Sequence, residues 1–362
     1  MSEILKLNIT SLRNIVALSI QLSPHVNLLY GENGSGKTSF LESVHLLASG
    51  HSFRSSKIDP LINSESDELV IYAELSNNQQ IGLSKSRKRS HQLRLQNEKQ
   101  RNWENVARQL PVQIMDSNSF LLLEGGPSVR RRFLDWGVFH VEPSFVANWR
   151  KTRKCVANRN LLLKSRRLDE SQLAVWDHEL VEAANSVDTA RKSYFERFLP
   201  IFSQVYESLG GGFPGELELN YERGWDRSRD LDQILADNLS TDMKYGATQN
   251  GPHRADITVE AGGIKAIEIL SRGQQKMLVS AMKLAQGKLL SESLDKQCIY
   301  LVDDLPAELD QDNRMRVFDQ LLTLGGQIFV TCVGLDSMES CLSKSPEMAK
   351  FHVEHGIIAA TK

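Results

Sequence analysis

The chain has 362 residues, 41% of them hydrophobic and 24% charged, with a formal net charge of −2. This composition is typical of a folded protein with room for two domains, and no apolar run approaches the ~20 residues that a membrane span requires. The first residues show no basic segment ahead of an apolar one. We therefore expect no secretion signal, no membrane association and a cytoplasmic location.

The first part of the chain carries strand patterns that lead into a helix. Residues 4–9 and 16–20 alternate between apolar and polar side chains, and Val26–Tyr30 is an apolar run typical of a buried strand. In residues 37–48, apolar side chains recur every three or four positions, which predicts a helix. Two further strand patterns cover residues 68–75 and 81–84.

A P-loop pattern stands between the buried strand and the first helix. It consists of Gly31, Glu32, Asn33, Gly34, Ser35, Gly36, Lys37 and Thr38. Glycines allow successive N–H groups to converge on phosphate oxygens at a helix N-terminus. We therefore expect these residues to bind ATP, with Lys37 bridging the β- and γ-phosphates and Thr38 holding Mg²⁺. The alternative is a glycine-rich turn that only caps a helix, and the flanking strand and helix argue against it.

The middle of the chain is basic. Between Lys85 and Arg167 there are 19 lysines and arginines against 6 aspartates and glutamates, a local charge of +13. Such a cluster favours DNA binding through backbone phosphates, and no motif for reading bases accompanies it. The candidate DNA-binding residues are Lys85, Arg87, Lys88, Arg89, Arg130, Arg131, Arg150, Lys151, Arg153 and Lys154. A solvated helix face is the alternative, and the arginines at 130–132 have a second one, pairing with carboxylates inside the fold.

Two helical patterns follow in the same region. The first covers residues 144–163 and the second residues 173–198, where apolar residues recur at near-heptad spacing. Pro200 is expected to interrupt the second pattern. Two helices of this length predict a short antiparallel arm about 40 Å long.

The last third returns to alternating strands and helices. We expect strands at 257–259, 298–302, 327–331 and near Phe351, and helices at 273–290 and 313–322. Together with the P-loop, and with the signature and the acidic strand end described next, this order predicts an α/β fold: an ABC-type P-loop ATPase head formed by the N- and C-terminal segments. A mainly helical second lobe is inserted as a short arm. The predicted boundaries are 1–110 and 246–362 for the two parts of lobe I, and 111–245 for lobe II.

Asp303 and Asp304 close the apolar run at 299–302. A carboxylate at the carboxyl end of a buried parallel strand is suited to hold Mg²⁺. We expect Asp303 to orient the metal together with Thr38, and Asp304 to polarise the attacking water, so that Lys37, Asp303 and Asp304 form the catalytic set. Most ATPases of this class have Glu at the second position, and the shorter Asp predicts slow turnover.

The pentapeptide from Leu270 to Gln274 is similar to the ABC signature LSGGQ, with Arg in the third position. A serine hydroxyl and a glycine backbone at a helix N-terminus form an anion site. We therefore predict that Ser271, Gly273 and Gln274 contact nucleotide. In the ABC family this site meets the γ-phosphate bound to the other subunit. The alternative is that Ser271 simply caps the helix.

The whole chain resembles the RecF family of DNA replication and repair proteins, relatives of the SMC and Rad50 ATPases. The resemblance rests on motifs along the full length: Leu12-Arg13-Asn14, the P-loop, Ser52-Phe53-Arg54, Gly125-Gly126-Pro127, the arginine-rich stretch 130–135, the stretch 251–256 beginning Gly-Pro-His-Arg, the signature, Asp303-Asp304, and 307–310 ending at Asp310. It implies a weak, DNA-dependent ATPase that forms an ATP-dependent homodimer on single-stranded or gapped DNA. It also implies RecO- and RecR-like partners, recombinase loading, SOS induction, a nucleotide contact for Asp310 and a coupling role for Arg54.

Two positions and one segment depart from the expected pattern, and the segment is Met115 to Asn118, where relatives often carry a Pro-Glu-Asp-like turn. Leu12 stands where the family usually has Phe, and Cys332 stands where ABC transporters place a γ-phosphate-sensing histidine. Gln113 is the candidate for the glutamine of the Q-loop. Two other functions stay open: a nucleotide-binding scaffold, and an ABC-type subunit that does not act on DNA.

Overall fold

The computed structural model describes residues 3–88, 90–165, 167–211, 217–342 and 347–361. Arg89, one of the DNA-binding candidates, lies outside these residues. In chain order the strands are β1 (Ile4–Leu12), β2 (Ile15–Gln21), β3 (Val26–Tyr30), β4 (Glu68–Leu75), β5 (Gln80–Ser86), β6 (Gln92–Leu95), β7 (Glu98–Gln100), β8 (Val112–Met115), β9 (Leu217–Glu222), β10 (Asp256–Ala261), β11 (Ile264–Lys265), β12 (Ile299–Val302), β13 (Ile328–Cys332), β14 (Met348–Glu354) and β15 (Ile357–Thr361).

The α-helices interleave with these strands. They are α1 (Lys37–Ser49), α2 (Glu104–Gln109), α3 (Leu121–Glu124), α4 (Pro127–Val141), α5 (Phe145–Leu163), α6 (Glu170–Ser208), α7 (Leu231–Asp237), α8 (Leu239–Tyr245), α9 (Ala266–Ile269), α10 (Arg272–Leu294), α11 (Leu305–Glu308), α12 (Gln311–Thr323) and α13 (Glu339–Leu342). Across the described part of the chain, no helix combines the length and the apolar character needed to cross a membrane.

The chain divides into two compact units. Unit 1 comprises Met1–Ser119, Val205–Gly211 and Lys276–Lys362, and unit 2 comprises Phe120–Gln204 and Gly212–Gln275. The predicted lobe boundaries after residues 110 and 245 stay a prediction.

Unit 1 contains two six-stranded sheets. The first is antiparallel, in the order β2-β1-β4-β5-β6-β7. The second has the order β15-β14-β3-β13-β12-β8, and all its neighbouring strands are parallel except the edge pair β14–β15. The carboxyl ends of β3, β12 and β13 therefore lie at one edge of the second sheet, where a ligand site is expected in such folds.

Helix α1 is buried in the core of unit 1. Its residues Phe40, Leu41 and Val44 are fully buried in a cluster that includes side chains from both sheets. The Phe40 and Phe329 rings lie 5.9 Å apart, so α1 packs directly against β13. This packing fixes the direction of α1, and with it the P-loop that precedes the helix.

Unit 2 is mainly helical, with the three-stranded antiparallel sheet β11-β10-β9. The predicted interruption at Pro200 is wrong, because α6 runs through this proline to Ser208. A proline removes one hydrogen bond from a helix and disfavours its interior. Here the neighbouring residues Phe198, Ile201 and Phe202 are all buried, and their packing offsets that cost.

Candidate nucleotide-binding site

The P-loop leaves the carboxyl end of β3 in a conformation that requires glycine. A Cβ atom at Gly31 would lie 2.1 Å from the Val353 carbonyl oxygen, so no larger residue fits there without displacing β14. Gly36, the residue before α1, has φ +124°, a region that L-residues with side chains rarely adopt. The strand–loop–helix context predicted for the motif is confirmed.

The Lys37 side chain is folded into its own loop. Its exposed fraction is 6%, and its Nζ donates to the carbonyl oxygens of Gly31 at 2.7 Å and Glu32 at 2.9 Å. Burial lowers the pKa of Lys37, and the nearby carboxylates of Asp304 and Asp303 oppose that shift. The ammonium group is therefore held beside the acidic pair at the end of β12.

Asn14, in the turn between β1 and β2, holds the P-loop from outside. Its Nδ2 donates to the Ser35 carbonyl at 3.0 Å, and its Oδ1 accepts from the Ser39 hydroxyl at 3.0 Å. The turn between β14 and β15 adds a third contact, because the Gly356 N–H donates to the Ser35 carbonyl at 2.7 Å. The P-loop is thus fixed by residues distant from it in sequence.

The buried carboxylate of Glu42 connects two of the sequence motifs, Leu12-Arg13-Asn14 and Ser52-Phe53-Arg54. Glu42 on α1 has a fully buried side chain that accepts from Arg13 Nε, from Arg13 Nη2 at 2.8 Å, and from the Ser52 hydroxyl. Ser52 Oγ in turn accepts from the backbone N–H of Arg54 at 2.9 Å. These bonds place Arg54 beside the nucleotide cleft described below.

The acidic pair at the end of β12 meets the P-loop. The Thr38 hydroxyl lies 3.1 and 3.0 Å from the two carboxylate oxygens of Asp303, and the Thr331 hydroxyl lies 2.8 Å from Asp303 Oδ1. Burial raises the pKa of Asp303, while these two hydroxyls act in the opposite direction. Asp304 follows with φ 52° and ψ 49°, a left-handed conformation, and its N–H donates to Thr331 Oγ1 at 2.8 Å.

These residues surround one cleft of about 490 Å³. Its lining includes predicted residues of the P-loop and the acidic pair, and also residues to which sequence reasoning gave no nucleotide contact: Arg13, Asn14, Ser39, Ser117 and Glu308. Arg13, Asn14 and Glu308 belong to motifs that were already visible in the sequence. Ser117 belongs to the segment Met115 to Asn118, where the sequence departs from the turn usual in the family, and it reaches the cleft just beyond the end of β8.

The candidate for the Q-loop lies elsewhere. Gln113 is inside β8, where it is paired in register with Tyr300, and its Nε2 donates to Gln286 Oε1 at 2.9 Å. Gln113 does not line the cleft, whereas Ser117, beyond the end of the strand, does. The structure thus gives Gln113 no contact with the cleft, and the residue that serves as the Q-loop stays a prediction.

The signature opens α10 as a capping box. The Ser271 N–H donates to Gln274 Oε1 at 2.8 Å, and the Gln274 N–H donates to Ser271 Oγ at 3.3 Å. Ser271 and Gly273 are both exposed, and a Cβ at Gly273 would meet nothing within 4 Å. The helix-capping alternative thus holds for Ser271, and this exposed helix N-terminus is also of the kind that binds anions.

Two other sequence features have structural roles. Asp310 is the N-cap of α12, and its Oδ1 accepts from the Asn313 N–H at 2.9 Å. Cys332 is fully buried at the end of β13, and burial raises the pKa of its thiol to about 11. The predicted nucleotide contact of Asp310 stays a prediction.

The DNA-binding candidates near β5 contact the protein itself. Lys85 Nζ donates to the Gly50 carbonyl and lies 5.5 Å from the centre of the Trp103 ring. Arg87 donates to the Ile62 carbonyl at 3.0 Å. Lys88 forms an exposed ion pair with Asp67 at 3.0 Å. An exposed pair of this kind exchanges readily with other anions.

The arginines at the start of α4 are turned inward. Arg130 binds both carboxylate oxygens of Asp256, at 2.7 and 2.8 Å, and Arg131 donates to the Ala255 carbonyl at 2.7 Å. The alternative that Arg130 pairs with a carboxylate inside the fold therefore holds, because its guanidinium group binds the carboxylate of Asp256 in a bidentate manner. The listing of Arg130 among the DNA-binding candidates is therefore corrected, because its guanidinium group is paired with Asp256 inside the fold.

The candidates on α5 lie along one helix. Lys151 pairs with Glu179 at 2.5 Å and with Glu182 at 3.2 Å on α6. Arg153 lies 4.8 Å from the Trp149 ring centre, and Lys154 lies 5.8 Å from that of Trp176. Arg150 is exposed. Their binding to DNA stays a prediction.

Comparison with known proteins gives a consistent picture. A family model described as the RecF/RecN/SMC N terminal domain matches residues 3–357. The DNA replication and repair protein RecF of Pseudomonas paraeruginosa is 41% identical over 98% of this chain and 97% of the relative. That of Pseudomonas syringae pv. syringae is also 41% identical, over 98% of both chains.

Solved structures show the same fold. The structure of the recombination mediator protein RecF-ATP in the RecFOR pathway has a TM-score of 0.88 at 23% identity, and the match covers 100% of this chain and 98% of that one. An Smc head bound to the C-winged helix domain of ScpA has a TM-score of 0.60 at 15% identity, covering 99% and 97%. The predicted ABC-type ATPase head is confirmed.

Proposed function

The chain belongs to the RecF family of DNA replication and repair proteins, and we propose that it is a cytoplasmic ATP-dependent DNA-binding protein of recombinational repair. The observation that carries this proposal is the junction of Thr38 with Asp303 at the mouth of the P-loop, at 3.0–3.1 Å. A hydroxyl and a carboxylate placed in this way are suited to hold the metal ion of a bound nucleoside triphosphate.

The cleft fits ATP with Mg²⁺. Ser35 Oγ is buried without a hydrogen-bond partner among the described residues, and Lys37 is a buried cation beside the P-loop backbone. Both groups suit a phosphate ligand. Thr38 and Asp303 would hold Mg²⁺, which when bound supplies charge neutralisation between the phosphate oxygens. Lys37 would orient the β- and γ-phosphates, and Asp304 would hold the attacking water.

A second copy completes the site in this proposal. The exposed N-terminus of α10, with Ser271, Gly273 and Gln274, is suited to cover a γ-phosphate held on another chain. Asp310, with its exposed carboxylate, would lie at the same interface. ATP then links two copies into a homodimer, because each triphosphate contacts one P-loop and one signature.

The homodimer would bind single-stranded or gapped DNA and release it on hydrolysis. The local charge of +13 between Lys85 and Arg167 supports a polyanionic partner. The RecF structure described as part of the RecFOR pathway supports RecO- and RecR-like partners, with recombinase loading and SOS induction as the outcome. We also propose that Arg54 couples DNA binding to the nucleotide, a role supported by its position in the lining of the nucleotide cleft.

Hydrolysis is proposed to be slow, DNA-dependent and used as a switch. The carboxylate of Asp304 is one methylene shorter than the glutamate usual at this position, and the position after Thr331 is the buried Cys332. Asp304→Asn should therefore retain ATP-driven dimers and trap them. Prompt dissociation of that variant would contradict the role given to Asp304.

The central test is light scattering and gel shift with and without ATP. We expect ATP to convert monomer into dimer and to increase binding of gapped DNA. Lys37→Met and Ser271→Arg should each abolish both effects, because each removes one half of the shared site. Unchanged dimerisation in both variants would refute the proposal, and dimerisation without DNA binding or turnover would favour the nucleotide-binding scaffold.

A further inference from the structure

Unit 2 contains a cleft of about 730 Å³ that gathers positive charge against an apolar wall. Its charged lining residues are Arg131, Arg132, Arg153, Arg191 and Asp135, which leave three positive charges in excess. The apolar wall includes Trp149 and Val156. The volume lies in the range of pockets that hold small molecules.

The acidic residue of this cleft is already matched. Arg191 is 2% exposed and donates to the two oxygens of Asp135 at 2.8 and 3.0 Å. Asp135 also accepts from Trp149 Nε1 at 3.1 Å. The negative charge of Asp135 is therefore neutralised by Arg191. For the other arginines of the cleft, the lining offers no second carboxylate.

The arginines crowd one another. Burial lowers the pKa of Arg131, and the neighbouring charge of Arg191 adds to that shift. Arg132 is exposed and forms no hydrogen bond or ion pair with any residue that the structure describes. Arg153 lies over the Trp149 ring at 4.8 Å, so its guanidinium edge stays available. An anion would relieve this repulsion and match the planar donors.

Thr152 provides an independent indication of a ligand. Its side chain is 5% exposed and lines the cleft, and its Oγ1 has no hydrogen-bond partner among the described residues. Buried hydroxyls nearly always have a partner, because leaving one unpaired is unfavourable. A ligand oxygen in the cleft would supply the missing bond.

We propose that this cleft binds one nucleotide unit of single-stranded DNA. Arg132, Arg153 and the Thr152 hydroxyl take the phosphate, and the base lies against the Trp149 and Val156 wall. Arginines together with an aromatic surface are the usual means of holding single strands without reading sequence. A base that enters a cleft of this size must be unpaired, so duplex DNA does not fit. The inference rests on the proposed DNA-binding function and assigns a site to it.

The test measures binding of the full-length protein, with ATP, to a labelled oligothymidylate by fluorescence anisotropy. Thr152→Val keeps the shape of the side chain and removes the unpaired hydroxyl, so it should fold normally and weaken binding about tenfold. Arg132→Gln with Arg153→Gln should reduce the salt slope by about 0.7, the value for one phosphate, because both arginines contact the same phosphate. Lys265→Gln, an exposed position on β11 of the same unit, is the matched control and should bind as the unchanged protein does.

Two further measurements, competition by small phosphates and binding of a blunt duplex, test whether the ligand of the cleft is single-stranded DNA. Excess thymidine monophosphate or inorganic phosphate should displace little of the oligonucleotide, and binding of a blunt duplex should be equal in all variants. Unchanged oligonucleotide affinity in the Thr152 and arginine variants, efficient displacement by the monophosphate, or an equal loss of duplex binding would each overturn the assignment. If the unchanged protein forms ATP-driven dimers but binds no DNA of any kind, the proposed function fails as well, whereas a failure confined to the variants concerns this cleft alone.

Discussion

The hydroxyl of Thr38 lies 3.1 and 3.0 Å from the two carboxylate oxygens of Asp303, a residue 265 positions further along the chain. Thr38 lies in the first turn of α1, which follows β3 through the P-loop, and Asp303 directly follows β12, with β13 between the two strands. Thr331 of β13 also bonds Asp303, at 2.8 Å. The proposed metal ligands are therefore brought together by the order of the parallel strands.

Removing the charge of Asp303 separates metal binding from nucleotide binding. Asp303→Asn keeps the size of the side chain but removes its negative charge and replaces one carboxylate oxygen with an NH₂ group, which cannot ligate Mg²⁺. We expect ATP affinity measured without Mg²⁺ to change little, and the gain produced by Mg²⁺ to fall about tenfold or more. Isothermal titration calorimetry with and without Mg²⁺ measures both quantities. An undiminished Mg²⁺ effect would show that Asp303 is not the ligand.

Asn14→Ala should weaken nucleotide binding through the shape of the P-loop. The variant loses the bonds to Ser35 and Ser39, at 3.0 Å each, and we expect about tenfold lower ATP affinity with a stability loss of about 1–2 kcal/mol. Asn27→Ala is the matched control, since Asn27 also makes two bonds, to Ser23 at 2.8 Å each, near the start of β3. The control should lose stability and retain affinity. Equal ATP affinities in the two variants would count against the role given to Asn14.

Two substitutions at Ser271 distinguish helix capping from phosphate binding. Ser271→Asp preserves a good N-cap, so the unfolding free energy should stay near that of the unchanged protein, whereas Ser271→Ala should cost about 1 kcal/mol. The aspartate places a negative charge where the γ-phosphate of a second copy is proposed to lie. ATP-driven dimerisation, followed by light scattering, should therefore be lost in the Asp variant and only weakened in the Ala variant. Normal dimers of the Asp variant would rule out this phosphate contact.

Because of Lys283 on α10, the free energy of unfolding should vary with pH in the alkaline range. Its Nζ donates to the Ile114 carbonyl, and burial lowers its pKa from 10.5 to about 8. Because the unfolded chain binds this proton more tightly, raising the pH from about 8 toward 10.5 stabilises the folded state, by up to about 3 kcal/mol. Below pH 8 the fold carries the cost of a buried charge.

Lys283→Met keeps the apolar length of the side chain and removes the charge. The variant should be more stable than the unchanged protein at pH 7, and this difference should shrink as the pH rises to about 9.5. Urea unfolding at several pH values measures it. A difference that does not vary with pH would mean that Lys283 is not titrating in this range.

Local patterns in the sequence were sufficient for the parts of the site that are continuous in the chain. The P-loop, its strand and its helix were predicted within a residue or two, because glycine spacing and apolar periodicity are local properties. The acidic pair was predicted for the same reason, since an apolar run ending in carboxylates marks the end of a buried strand. The family was identified from motifs spread over the whole length.

Tertiary contacts decided the rest. The sequence makes Gln113 a candidate for the Q-loop, whereas in the structure Gln113 lies inside β8 and its side chain donates to Gln286. Arg130 was counted with the DNA surface because charge in the sequence does not reveal a partner, and Asp256 lies 126 positions away. The sequence predicts that Pro200 interrupts the helical pattern. In the structure the helix continues through Pro200, because the buried side chains next to it stabilise the helix.

The sequence by itself determined the class of protein and the phosphate-binding loop, because both depend on the order of residues along a few local stretches. The tertiary structure decided which charged and polar side chains have no partner among the described residues, as for Ser35, Thr152 and Arg132. The physical reason is that hydrogen bonding and charge neutralisation depend on distances in space. Residues more than a hundred positions apart supply those partners, and no local pattern records them.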